Sequence, residues 1–134
     1  ALIFTQEPRV LTFSAHGRHN FPFRKQKSDI DLEFENQTND DTYLQALTET
    51  LPRVWDFEPD MIFYQSGVDA LATDRLGKLA MTQEGIIRRN QLVFTQIAAR
   101  NLPCVVNLGG GYSSPIEHTI SAAAQTYVQA RNLL

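Results

Sequence analysis

Two residues with reactive side chains follow apolar segments of this chain. Asp69 comes shortly after the apolar run from Met61 to Tyr64, and Tyr112 follows the run from Cys104 to Leu108 and three consecutive glycines. Short runs of branched and aromatic residues bounded by Pro or Gly are typical of buried strands. Loops at the carboxyl ends of parallel strands build the functional crevice of an open α/β sheet. We therefore expect the carboxylate and the phenol to face each other at one sheet edge.

The carboxylate of Asp69 is compatible with three roles. An Asp at a strand exit can cap a turn or a helix for purely structural reasons. It can complete a catalytic zinc site, which has three protein ligands and an open position. It can also act as a general base. Sequence spacing alone does not choose among these roles.

The three glycines before Tyr112 leave the backbone uncovered, so that a ligand can approach it closely. A phenol beside a metal can stabilise a developing oxyanion, whereas a purely structural Tyr112 would be a packing residue. A glycine run before a helix can instead bind phosphate, although this loop lacks the Lys-Ser/Thr of a P-loop. The residues leave these interpretations open.

The other residues that could do chemistry are isolated. His16 and His19 follow a further predicted strand and are expected to be hydrogen-bonded loop or core histidines, and His118 is expected to be exposed on the last helix. Cys104 is the only cysteine, so no internal disulfide can form. We expect it to be a small buried side chain in a protein of a reducing compartment, the cytoplasm.

Composition excludes some classes of partner. The 134 residues suit one domain, and 12 basic against 15 acidic side chains give a net charge of −3. No block of Lys or Arg suggests nucleic-acid binding, and the apolar runs are too short to cross a bilayer. The chain opens on Ala-Leu-Ile-Phe without an initiating Met, from which we expect it to be part of a longer polypeptide.

The periodicity of apolar residues predicts alternating strands and helices. The expected elements are the end of a helix at residues 1 to 6, a strand from Arg9 to His16, a polar loop from Gly17 to Ser28, a short exposed strand from Asp29 to Phe34, a helix from Asp40 to Asp56, the two strands named above, a helix capped by Thr82, and a helix from Pro115 to Arg131. This alternation predicts an α/β fold with a mostly parallel sheet covered by helices, in three α/β/α layers.

Three details of the helices can be tested. Pro52 should kink or break its helix near Leu51, because proline lacks the backbone donor and clashes with the preceding turn. Arg88 and Arg89 are expected on the solvated face of the helix that buries Ile86, Val93 and Ile97. On the last helix Ile116, Ile120, Ala124 and Tyr127 align on one face.

Four segments carry a family resemblance. They are PDMIFYQSGVDALATDRLGKLAMTQEGIIRR, PCVVNLGGGYSSPI, RHNFPFRKQKSDIDL and DDTYL. Through them the chain resembles the carboxyl-terminal portion of the histone deacetylase superfamily, which includes acetylpolyamine amidohydrolases, and is most similar to the class IV branch and bacterial deacetylase-like proteins. The resemblance implies a partial arginase/deacetylase fold, with residues 1–134 as the carboxyl-terminal part of one catalytic domain.

The resemblance also implies a zinc-dependent amidohydrolase whose substrate is acetyl-lysine or a small acetylated amine. Asp69 falls on the aspartate zinc ligand, and Tyr112 on the tyrosine that polarises the acetyl carbonyl. The implied substrate-binding positions are Phe21, Gly110 and Gly111. Ser14 matches a position beside a monovalent-cation site, at which K⁺ is the expected ion, with His16 as its supporting neighbour.

The remaining catalytic motifs of the family do not occur in this sequence. The chain has no paired His and no Asp-x-His, so the resemblance implies that the other two zinc ligands and the general base precede Ala1. We expect the chain to be inactive alone. The strand from Arg9 to His16 would lose its neighbour and become an open edge, which favours self-association. A noncatalytic binding or assembly module is the alternative, and a phosphate or nucleotide binder is a weaker one.

Overall fold

The computed structural model describes all residues from Ala1 to Leu134, and its elements follow the predicted order. They are a 3-10 turn at Leu2–Phe4, strand β1 (Phe13–Gly17), strand β2 (Ile30–Phe34), helix α1 (Asp40–Trp55), strand β3 (Ile62–Ser66), helix α2 (Gln83–Ala99), strand β4 (Cys104–Leu108) and helix α3 (Glu117–Leu133). None of the three helices has the length and apolar content that a membrane-spanning helix needs.

The strands form two parallel pairs, β1 with β2 and β3 with β4. In the second pair Ile62 lies opposite Cys104 and Ser66 opposite Leu108, so both strands end at the same level. The predicted parallel α/β architecture is confirmed. Strand β1 begins at Phe13 rather than at Arg9, because only the residues from Phe13 onward pair with β2. Strand β2 is less exposed than predicted, since its two end residues are buried.

Helices α1 and α2 begin at residues with capping side chains. Asn39 accepts a hydrogen bond from the backbone of Thr42 at the start of α1, and Thr82 accepts one from Gly85 at the start of α2. We expected a kink or a break near Leu51, and the break is wrong, because α1 continues through Pro52 to its end. Pro52 is exposed and lies in the last turn, and its missing donor costs the helix one backbone hydrogen bond, to the carbonyl of Thr48, which does not end the helix.

The hydrophobic core lies between the helices and one face of the strand pair β3–β4. Helix α2 packs against both α1 and α3, and Phe94 and Ile97 of α2 are completely buried. Tyr64 of β3 packs against this core, whereas its neighbour Phe63 is 70% exposed. Our expectation that β3 and β4 are buried strands is therefore wrong for one of their faces, because the helices of this chain cover only the other. Cys104 is accordingly half-buried, and this burial raises the pKa of its thiol.

The fully buried side chains of helix α3 are small. The aligned residues Ile116, Ile120, Ala124 and Tyr127 are all exposed. Ala122 and Thr126 are the residues of α3 that are buried. Small side chains allow α3 to lie close to α2, and the large apolar side chains of Ile120, Tyr127 and Val128 are left exposed.

Candidate functional site

The exits of β3 and β4 are joined backbone to backbone. The amide of Val68 donates a 2.8 Å hydrogen bond to the carbonyl of Gly110. Gly109 lies so close to Gly67 that a β-carbon at position 109 would collide with the Gly67 backbone. Glycine is therefore required at 109 by the close approach of two protein segments.

The carboxylate of Asp69 lies against this glycine loop. A β-carbon built on Gly110 would be 3.6 Å from the carboxyl carbon of Asp69, and the Asp69 residue is half-buried. Burial is the main cause that raises the pKa of Asp69, and the negative charge of Asp74 raises it further, while Arg89 partly opposes both. Asp69 thus holds its proton more tightly than an exposed aspartate does.

Tyr112 is anchored through its backbone and presents its side chain to solvent. Its amide donates a 2.6 Å hydrogen bond to Asp74, and its carbonyl accepts one from the amide of Arg75. The residue is 54% exposed, so the phenol is not a core packing group. The loops that carry Asp69 and Tyr112 are therefore brought together, as the sequence predicts.

The three glycines do not all leave the backbone open. A β-carbon on Gly111 would lie 2.6 Å from the side chain of Val68 and 2.7 Å from that of Thr119. Protein atoms also occupy the space beside Gly109, which leaves Gly110 as the exposed glycine of the three. Packing explains two of the glycines without a ligand, and this weakens the interpretation of the loop as a phosphate cradle.

The loop after β1 carries the other candidate residues. Phe21 is 83% exposed. Its ring pairs edge-to-face with that of Phe23, and the two ring centroids are 6.1 Å apart. Ser14 shares a 2.8 Å hydrogen bond with Nδ1 of His16. The other ring nitrogen of His16, Nε2, is buried without a hydrogen-bond partner. These pairs are local and do not include Asp69 or Tyr112.

One hydrogen bond connects this loop to the candidate site. The side chain of Asn20 accepts a 3.0 Å hydrogen bond from the backbone amide of Lys78, which lies in the loop that follows Asp69. The segment after β3 therefore contacts both the segment after β1 and the segment after β4. Asp69 belongs to the middle segment.

Arg89 is a supporting residue that the sequence analysis assigned to the solvated face of α2, and that assignment is wrong. The residue is 5% exposed, and its guanidinium donates to the carbonyl of Gly67 at 2.8 Å and to the hydroxyl of Ser66 at 2.7 Å. Its spacing, three residues after Ile86 and four before Val93, is the signal for a shared buried face. Arg88 is exposed as predicted.

Asn90 completes the polar network behind the end of β3. Its side-chain oxygen accepts hydrogen bonds from the hydroxyls of Tyr64 and Ser66, and its amide donates to Thr126 at 2.9 Å. A fully buried amide with these partners connects β3 to α3 through α2. The network keeps the strand end from which the Asp69 loop leaves in a fixed place.

The zinc ion that the resemblance implies would find one ligand in this part of the molecule. No group of three His, Cys, Asp or Glu side chains is placed to hold a metal ion. Asp69 is a half-buried carboxylate at a strand exit and fits a single ligand position. Because a catalytic zinc needs three protein ligands, these residues alone do not form the site.

Parallel strands, helices packed on one of their faces and joined loops at the strand exits define an α/β protein with one candidate metal ligand. Comparisons with known proteins give the family. The model of the histone deacetylase domain matches residues 1–129. The chain therefore belongs to the histone deacetylase family.

Two curated relatives and one solved structure illustrate this likeness. An uncharacterised protein of Picosynechococcus sp. is 41% identical over 134 residues, which are 99% of this chain and 45% of the relative. Histone deacetylase 2 of Arabidopsis thaliana is 32% identical over 108 residues, 78% of this chain and 28% of that protein. The chain thus spans less than half the length of these relatives.

The solved structure is that of an acetylpolyamine aminohydrolase from Burkholderia pseudomallei. It superimposes on this chain with a TM-score of 0.77 at 21% identity. The match covers 98% of this chain and 40% of the aminohydrolase chain. At this identity the likeness shows the fold, and it confirms the expected partial arginase/deacetylase architecture.

Proposed function

We propose that this chain is the carboxyl-terminal part of a zinc-dependent deacetylase domain that hydrolyses the amide of acetyl-lysine or of a related acetylated amine. The observation that carries the proposal is the contact between two strand exits. It brings a half-buried carboxylate, Asp69, against a glycine loop that ends in an exposed phenol, Tyr112. Both groups are then at one edge of the strands, where α/β proteins bind ligands.

In the proposed site Asp69 supplies one zinc ligand, and polypeptide outside these 134 residues supplies the other two ligands and the general base. The metal, when bound, would supply Lewis-acid activation of water and of the acetyl carbonyl. The phenol of Tyr112 donates a hydrogen bond to the carbonyl oxygen of the substrate. This bond strengthens as negative charge develops on that oxygen, which stabilises the transition state more than the ground state.

The substrate and cation contacts are assigned on the family resemblance. Phe21, Gly110 and Gly111 border the bound acyl-amine in this proposal. The exposure of Phe21 supports its role, because a large aromatic side chain in solvent is available for an apolar substrate stem. Ser14 borders a monovalent-cation site. Its half-buried hydroxyl already contacts His16, which would support it there.

The outer face of β3–β4 supports the proposal that further polypeptide completes the domain. Phe63 and Val105 lie opposite each other on this face, and both are exposed. Contiguous exposed apolar residues typically mark an interface. We propose that the rest of the deacetylase domain covers them, consistent with relatives more than twice as long as this chain.

Replacing Tyr112 by Phe in the complete protein tests the proposed function. Loss of one oxyanion donor should lower kcat on an acetyl-lysine peptide by about a hundredfold or more, while the bound zinc per molecule stays the same. Tyr127→Phe is the matched control, because Tyr127 is also an exposed tyrosine but lies on α3. An unchanged turnover in Tyr112→Phe would reject the assigned role.

A noncatalytic binding or assembly module is the second candidate. It is favoured by one observation: the residues described here provide only a single candidate metal ligand. Zinc content and deacetylation of acetyl-lysine and acetylpolyamine substrates, measured together on the complete protein, separate the two. Stoichiometric zinc with turnover supports the enzyme, whereas neither zinc nor turnover supports the module.

A further inference from the structure

The side chain of Asp74 connects the two loops of the candidate site. It is 9% exposed. One carboxylate oxygen, Oδ1, accepts hydrogen bonds from the amides of Leu76 at 2.9 Å and Gly77 at 2.7 Å. The other oxygen, Oδ2, accepts the 2.6 Å hydrogen bond from the amide of Tyr112. A single buried side chain therefore spans the Asp69 loop and the Tyr112 loop.

The carboxylate of Asp74 accepts its hydrogen bonds from backbone amides only. None of the ion pairs in the structure includes Asp74. Hydrogen bonds from neutral donors to an ionised acceptor are shorter and stronger than those between neutral groups. The position of the Tyr112 backbone consequently depends on a charged acceptor that no basic side chain competes for.

The turn that Asp74 organises also lies directly on Asp69. Gly77, whose amide binds Asp74, approaches the carbonyl oxygen of Asp69 so closely that any β-carbon at 77 would collide with it. The Asp74 carboxylate therefore bonds directly to the amide of Tyr112, and it is linked to Asp69 through Gly77.

Other bonds between the same segments do not involve this carboxylate. Ser114 donates from its amide to the carbonyl of Thr73 at 3.0 Å, and the hydroxyl of Thr73 donates to that of Ser113 at 3.0 Å. These bonds should keep the two segments together when Asp74 is changed. A substitution at 74 can therefore disturb Tyr112 without separating the loops.

We propose that Asp74 is a positioning residue for the deacetylation reaction, which holds the backbone of Tyr112 so that the phenol keeps one orientation at the Asp69 site. This inference rests on the proposed function, because it gives Asp74 its effect through the oxyanion donor. Asp74 itself touches neither the substrate nor the metal in this scheme.

Asp74→Asn in the complete protein is the decisive variant. The amide oxygen of Asn can still accept from Leu76 and Gly77, but the NH₂ group then faces the amide of Tyr112, and two donors cannot bond. We expect kcat to fall by about tenfold or more, as for loss of a hydrogen bond to a charged group, with little change in KM. Thr73→Val is the control, because it removes a bond between the same segments and leaves the Tyr112 amide paired.

The double variant Asp74→Asn with Tyr112→Phe separates positioning from a general structural role. If Asp74 acts through the phenol, this double variant is no slower than Tyr112→Phe alone, because the two residues act as a unit. Additive losses in kcat would overturn the inference. A wild-type protein without deacetylase activity would instead reject the proposed function on which the inference rests.

A second measurement tests the hydrogen bond independently of catalysis. In the complete protein labelled with ¹⁵N-tyrosine, the resonance that disappears in Tyr112→Phe belongs to the amide of Tyr112. We expect a downfield amide proton that exchanges slowly with solvent, and both properties should be lost in Asp74→Asn and kept in Thr73→Val. An amide that is unchanged in Asp74→Asn would contradict the proposed contact.

Discussion

Two regions carry candidate residues of the same proposed site but are built differently. The first is the joined exits of β3 and β4, and the second is the loop after β1. At the first, Gly109 and Gly67 touch through their backbones, and the buried polar side chains Arg89 and Asp74 bind the loop amides and carbonyls. At the second, Phe21 is exposed and the contact to the rest of the site is the bond between Asn20 and Lys78. The loops that carry Asp69 and Tyr112 are fixed by backbone contacts, whereas the ring assigned to the substrate stem projects into solvent.

The largest expected effect is on stability at the joined strand exits. Gly109→Ala places a methyl group against the Gly67 backbone, which cannot move aside as a flexible side chain could. We expect the free energy of unfolding to fall by about 3 kcal/mol, the upper part of the range for overpacking. Gly110→Ala is the control, because its β-carbon would make ordinary contact with Asp69. Similar urea midpoints for the two variants would show that the contact is not rigid.

A smaller effect is expected from the residue behind the strand end. Arg89→Met removes the charged donor of the half-buried Gly67 carbonyl and one partner of the Ser66 hydroxyl, which keeps its bonds to Asn90 and Thr126. The free energy of unfolding should fall by about 2 kcal/mol, as for loss of hydrogen bonds to a charged group. Arg88→Met, on the exposed side of the same helix, should change it by less than about 0.5 kcal/mol. Equal urea unfolding of both variants would contradict the role of Arg89.

The smallest effect on stability is expected in the loop after β1. Phe21→Ala should change the free energy of unfolding by less than about 0.5 kcal/mol, because the ring is largely in solvent. In the complete protein it should raise KM for an acetylated peptide several-fold and leave kcat nearly constant. Phe23→Ala removes the neighbouring ring and should alter KM less. If Phe21→Ala lost as much stability as Gly109→Ala, the contrast between the two regions would be wrong.

Local patterns in the sequence predicted the elements well because each is specified within a few residues. Helix α1 begins at Asp40 and α2 follows its cap Thr82, as predicted, and the strands are parallel. Burial was harder to predict, because it depends on what packs against an element. Strand β3 has the composition of a strand covered on both faces, and the apolar residues of α3 suggested a core face, but in both cases these side chains meet solvent.

The residues that support the candidate site were the least visible in the sequence. Asp69 and Tyr112 stand out because each follows an apolar run. Asp74 and Arg89 act on backbone atoms far away in the chain, and a single sequence does not reveal such partners. The helical spacing of Arg89 and the Asp-x-x-Gly turn that begins at Asp74 are nevertheless signals that could have identified them.

The uncovered side of β3–β4 affects how this polypeptide should behave in a test tube. Salts such as ammonium sulfate strengthen attraction between apolar surfaces, so the exposed Phe63 and Val105 should make the isolated chain precipitate at lower salt than a protein with a polar exterior. A lysine in place of Phe63 would keep the isolated chain in solution. In the proposed complete domain the same change would place a charge in a covered apolar interface, so Phe63→Lys should favour solubility of the isolated chain and oppose assembly of that domain.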